Sequence, residues 1–171
     1  PPRRILAEAL RPDFIIVTHR HPDHFDVSSL FRLAELDRDS VVVTACPLVE
    51  QTAKRIGFST VARVDELHHI ALDGAELITT PSYTDVVEWG MVVASRHGVA
   101  WNQVDTICRD RDDVALTLRR VGEGLGRQPL SLDLAIVRWQ PLLEVASVLG
   151  HATTFPHSAY AELLELAAAV P

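Results

Sequence analysis

The chain has 171 residues, an apolar fraction of 47% and 16 Lys+Arg against 23 Asp+Glu, for a net charge of −7. That size suits one domain with a real hydrophobic core. An acidic balance without a Lys/Arg cluster argues against a nucleic-acid or anionic-membrane partner. Two cysteines, Cys46 and Cys108, imply neither a disulfide framework nor a cysteine-rich zinc site, and free thiols suit a cytoplasmic location.

The opening PPRRILAEALRP reads as a short amphipathic helix ended by Pro12, without the long apolar core of a signal peptide. No apolar stretch is long enough to span a membrane. A start at Pro1-Pro2 rather than Met reads as a cleavage product or fragment. Residues 13–18 (DFIIVT) form a buried strand. Residues 26–36 form a helix with Val27, Leu30, Phe31 and Ala34 at helical spacing and Asp26 as N-cap. A second buried strand covers 40–44. A helix over 47–56 follows, with Pro47 in its first turn and Gly57 past its end.

Short strands are expected near 60–64 and 75–80. Residues 89–95 and 99–104 flank His97-Gly98 as a hairpin, with Gly98 supplying a positive φ. A helix at about 112–125 presents Leu116, Leu118, Val121 and Leu125. It leads to a strand at 132–138, and a last helix covers about 158–169. Several fully apolar strands alternating with helices indicate a layered α/β fold. No linker or internal repeat divides the chain, so a single domain over 1–171 is expected.

Residues 18–26 read THRHPDHFD. His19 and His21, at i and i+2 on an extended backbone, share a side and can converge on one point. Asp23 and His24 follow Pro22, which bends the chain and can aim them at a second point. Imidazole and carboxylate suit Zn²⁺, Fe²⁺ or Mn²⁺. Two such points would make a two-metal centre that activates water and polarises a substrate oxygen. The alternative is a solvated, histidine-rich turn, but four ligand-type residues at this spacing directly after a buried strand weigh against it.

This stretch resembles the HxHxDH signature of the metallo-β-lactamase superfamily, with His19, His21, Asp23 and His24 in its four positions and FIIVTH as the preceding strand. The resemblance runs from about residue 10 to the C-terminus. It implies an αββα sandwich with two metals, Zn or Fe with Mn as a further option, at one edge. It also implies three later ligands. A bridging aspartate, usually in a Gly-Asp-Thr run, matches Asp105 in NQVDT, where Val104 replaces the glycine. A histidine before the C-terminal helix matches His157, with His151 as the rival.

The third is usually a histidine in a loop before the strand leading to the bridging aspartate. TTPSYTDVVEWG contains none. Glu88, Tyr83 and Asp85 are the options there. Glu88 is preferred because it stands just before the strand.

The resemblance implies hydrolysis of an ester, thioester, amide or phosphodiester of a small molecule by a hydroxide bridging the two ions, with Asp23 as catalytic residue as well as ligand. A minority branch consists of di-iron oxygenases, in which a Glu can replace the missing histidine, and Glu88 would then take that part. A third reading is a binding protein with a degenerate site.

Trp89, Trp101 and Trp139 read as core packing, with a substrate pocket as the alternative for Trp139. His68-His69 read as a surface or half-buried pair. Family members carry several strands before the motif, which this chain reaches after 18 residues. The amino-terminal part of the fold is therefore expected to be incomplete, with a further segment, a partner chain or a homodimer contact covering the exposed sheet.

Overall fold

The computed structural model describes residues 11–83, 85–108 and 111–137, which form three helices and eight strands. The chain separates into two compact units. The first is residues 1–66 with Val86–Trp89, and the second is Leu67–Asp85 with residues 90–171.

In the first unit, β1 (Phe14–Val17), β2 (Val41–Thr44) and β3 (Thr60–Arg63) form a parallel sheet in that order, registered Val17↔Thr44 and Thr44↔Arg63. Parallel neighbours need crossovers, which α1 (Val27–Leu36) and α2 (Pro47–Ile56) supply. Asp26 caps α1 through the amides of Ser28 and Ser29. Pro47 occupies the first turn of α2, and Gly57 closes it in the left-handed region, at φ 106°.

The core of this unit joins Leu30 and Ala34 of α1 to Val42, Ala53 and Phe58. The expected apolar face of α1 is narrower than its sequence pattern. Leu30 and Ala34 are buried, whereas Val27 and Phe31 are about half exposed. One i, i+4 pair suffices to cover so small a sheet, and residues one step further round the helix project past it. Trp89 ties the Val86–Trp89 segment to this unit: its indole N–H donates to the Val64 carbonyl at 3.1 Å, and the side chain is buried.

In the second unit, β4 (His69–Leu72), β5 (Ala75–Thr80), β6 (Gly90–Ser95), β7 (Gly98–Asn102) and β8 (Leu134–Ile136) form one sheet in chain order. It is antiparallel except for the parallel β7–β8 pair. Strand β4 was not expected. Its four residues, HIAL, are too few to stand out, and the Asp73-Gly74 turn pairs it with β5. The expected 132–138 strand shortens to three residues. α3 (Arg111–Gly124) lays Val114, Leu118 and Val121 on Ile78, Val92 and Trp101 to make the core. Trp89 and Trp101 are thus both packing residues. His68 and His69 are exposed, with His69 paired to Glu76 at 2.8 Å. The expected helix over 158–169, Trp139 and most of the expected amino-terminal helix lie outside the described residues. Among those described, no helix is long and apolar enough to cross a membrane.

Candidate metal centre

Strand β1 delivers its carboxyl end straight into the histidine motif. Thr18 and His19 continue the chain as buried residues, His19 only 1% exposed. The chain then turns. The amides of His24 and Phe25 both donate to the His21 carbonyl, at 2.9 and 2.8 Å, across Pro22 and Asp23. Pro22 sits where a turn of this kind accepts a preset φ. Phe25 packs beside Val17, Cys46 and Val49, anchoring the far side of the turn to the core.

The result is a cluster. Nε2 of His19 lies 2.9 Å from Nδ1 of His21, with the two rings nearly perpendicular at 86°. The His24 ring stacks at a tilt on His19, centroids 4.4 Å apart. His24 Nε2 is 3.5 Å from the Asp23 carboxylate, the His24 side chain 29% exposed and that of Asp23 66%. All four motif residues belong to the first unit, His19 just past the end of β1 and the others in the turn that follows.

The donor set fits a divalent ion. Two imidazole nitrogens that each bind one ion at about 2.0–2.1 Å stand roughly 3 Å apart, which matches the His19–His21 separation. Without an ion, two facing ring nitrogens require one to be an N–H, so the pair meets as donor and acceptor.

Glu88 is half-buried and belongs to the same unit as the motif, one residue before the anchored Trp89. Tyr83 and Asp85 belong to the second unit. The Tyr83 hydroxyl engages α3, bonding the Asp113 carbonyl at 3.2 Å and Thr117 Oγ1 at 3.1 Å. Burial raises its pKa, which opposes the phenolate that a metal ligand needs.

Asp105 stands in a tight turn after β7 in the second unit. Thr106 donates from both its amide and its hydroxyl to the Gln103 carbonyl, at 3.1 and 2.6 Å. Val104, where the superfamily pattern has glycine, adopts φ 54°, and its amide is held by Asn102 Oδ1 at 3.0 Å. Val104 thus takes a left-handed backbone conformation, one that glycine adopts without steric cost. His157 and His151 lie outside the described residues. Sequence reasoning passed over Thr18, whose hydroxyl is 3.0 Å from His19 Nδ1. A hydroxyl residue directly before the first histidine was the available signal.

Solved structures share this architecture. A mutant of the β-hydroxylase CmlA aligns with a TM-score of 0.52 at 19% identity, over 71% of this chain and 25% of that one. The isothiocyanate hydrolase from Delia radicum gut bacteria aligns at 0.51 and 19%, over 71% and 48%. CmlA itself, a diiron β-hydroxylase from Streptomyces venezuelae, aligns at 0.51 and 18%, over 71% and 24%. The chain thus spans about a quarter to a half of the length of the structures it matches. No family model and no curated protein matches the sequence. The fold is metallo-β-lactamase-like, of mixed α/β class, as the HxHxDH resemblance implied.

Proposed function

We propose that this chain carries the metal centre of a metal-dependent hydrolase acting on an ester, thioester, amide or phosphodiester of a small molecule. The observation that carries the reading is the 2.9 Å approach of His19 Nε2 to His21 Nδ1 at the end of β1. In this reading His19, His21 and Glu88 would hold one ion and Asp23, His24 and His157 the other, and Asp105 would serve both, on the strength of the sequence resemblance. When bound, the ions supply Lewis acidity and an activated water. The chain's own contribution is placement. The buried His19 fixes one pole, and the turn over Pro22 sets the other. Asp23, exposed beside His24, would in this reading take a proton as well as bind.

A second reading, a di-iron oxygenase, is supported by the lack of a histidine in TTPSYTDVVEWG: with Glu88 in that ligand's part, an oxygen-rich shell would suit iron. The fold likeness to a diiron β-hydroxylase is compatible with it. Among the described residues β1 is an edge strand with Phe14, Ile15 and Ile16 half-buried, which supports a further segment, partner chain or second copy covering that sheet.

Elemental analysis with optical spectroscopy tests the function. Two zinc ions per chain support the hydrolase. Two irons with an oxo-bridge absorption band overturn it in favour of the oxygenase. Less than one metal per chain after reconstitution overturns both.

A further inference from the structure

A histidine binds a metal through one ring nitrogen only when the other carries the proton, so the group facing that second nitrogen decides which end is available. His19 is buried, and its two nitrogens face different partners. Nδ1 meets Thr18 Oγ1 at 3.0 Å, and Nε2 meets His21 Nδ1 at 2.9 Å. Thr18 is itself only 5% exposed and lies one residue past β1, so its hydroxyl is held by the sheet rather than by the exposed turn.

We infer that Thr18 is a positioning residue for the metal centre: its hydroxyl accepts the Nδ1 proton of His19 and so keeps the Nε2 lone pair turned toward Nδ1 of His21. The inference rests on the metal-centre reading above and adds a residue outside the ligand set. Threonine suits the task because its hydroxyl oxygen accepts while its own hydrogen can be donated elsewhere. Its β-branched body also continues the strand. If the hydroxyl instead donated to Nδ1, Nε2 would carry the hydrogen and donate to His21 Nδ1. His19 could then offer Nε2 to an ion only after changing tautomer and losing its bond from the Thr18 hydroxyl. The two arrangements predict opposite tautomers for the same heavy-atom positions.

Valine at position 18 keeps the shape and removes the acceptor, and serine keeps the acceptor. The intact chain, Thr18→Val and Thr18→Ser are titrated with Co²⁺ at one pH. Ligand-field absorption and competition with a chelator report affinity and geometry. Long-range ¹H–¹⁵N spectra of the Zn²⁺-loaded intact chain report the His19 tautomer. We expect Nδ1–H on His19, a roughly 10–100-fold loss of Co²⁺ affinity with an altered spectrum in Thr18→Val, and near-complete recovery in Thr18→Ser. Equal affinity and spectrum for the intact chain and Thr18→Val would overturn the inference and leave the metal centre standing. So would a proton on Nε2 in the Zn²⁺-loaded chain, a measurement that holds even if Thr18→Val does not fold. Failure of the intact chain to take up either ion removes the metal centre and this inference together.

Discussion

The amide of His24 donates to the carbonyl of His21 at 2.9 Å, and this bond reverses the chain between the two halves of the metal motif. Pro22 lies inside that reversal. Pro22→Gly keeps the ligands and loosens the loop, at a cost of about 0.4–1 kcal/mol in backbone entropy. We expect a folded protein whose Zn²⁺ affinity falls about two- to fivefold. Calorimetric titration checks it, and an undiminished affinity would mean that Phe25 alone holds the turn.

Glu88 and Tyr83 separate cleanly by mutation. Glu88→Ala should lower affinity for one ion at least about tenfold, while Tyr83→Phe should leave metal content unchanged, because the Tyr83 hydroxyl is engaged by Asp113 and Thr117. Metal content of the purified variants decides. Unchanged content in Glu88→Ala removes Glu88 from the ligand set.

Val104 is a β-branched residue at φ 54°, a region that costs such a side chain roughly 1–2 kcal/mol. Val104→Gly relieves that strain but loosens the unfolded chain. The net expectation is a gain of up to about 1 kcal/mol in unfolding free energy. Urea denaturation of both proteins measures it, and a loss of stability would show that the Val104 side chain contributes more by packing than its backbone costs.

Gly90 faces the opposite situation. A Cβ there would stand 2.6 Å from Thr80 Oγ1 and 2.9 Å from the carbonyl oxygens of Asn102 and Gln103. Backbone oxygens of a paired strand cannot yield cheaply, so Gly90→Ala should destabilise by roughly 1–3 kcal/mol. The same denaturation experiment applies. A variant as stable as the parent would mean that β6 shifts freely against β7.

Two carboxylates, the exposed Asp26 and the half-buried Glu50, contribute to the acid side of the stability profile. Hydrogen bonds from the Ser29 side chain and amide hold Asp26 below its ordinary 3.8, and the Lys54 ammonium holds Glu50 below 4.5. A depressed folded-state pKa stabilises above the unfolded value and is lost as pH falls through the folded one. Stability should therefore drop below about pH 4, with a shallower slope in Asp26→Asn. Acid unfolding followed by circular dichroism checks this, and identical slopes in both proteins would exclude Asp26 as a contributor.

The helices over 27–36 and 47–56 were legible almost to the residue, because Asp26, Pro47 and Gly57 mark their ends through local backbone chemistry. The β6–β7 hairpin was legible from its Gly98 turn for the same reason. Strand β4 was not, since His69–Leu72 becomes a strand only by pairing with β5. Phe31 shares the helical spacing of Leu30 and Ala34 yet is half exposed, because spacing defines a stripe but not the width of the surface that covers it.

The sequence by itself determined which side chains cluster after β1, since the spacing of His19, His21, Asp23 and His24 places them on one strand end and one turn. It also determined what chemistry they can offer. Tertiary structure alone decided that His19 presents Nε2 and His21 presents Nδ1, that Thr18 backs the first ring, and that Val104 takes a glycine's conformation. Spacing along a chain constrains direction within a few residues. The rotation of a ring, or the sign of a φ angle, depends on which of several local conformations the folded chain holds, even where the partners are one or two residues away.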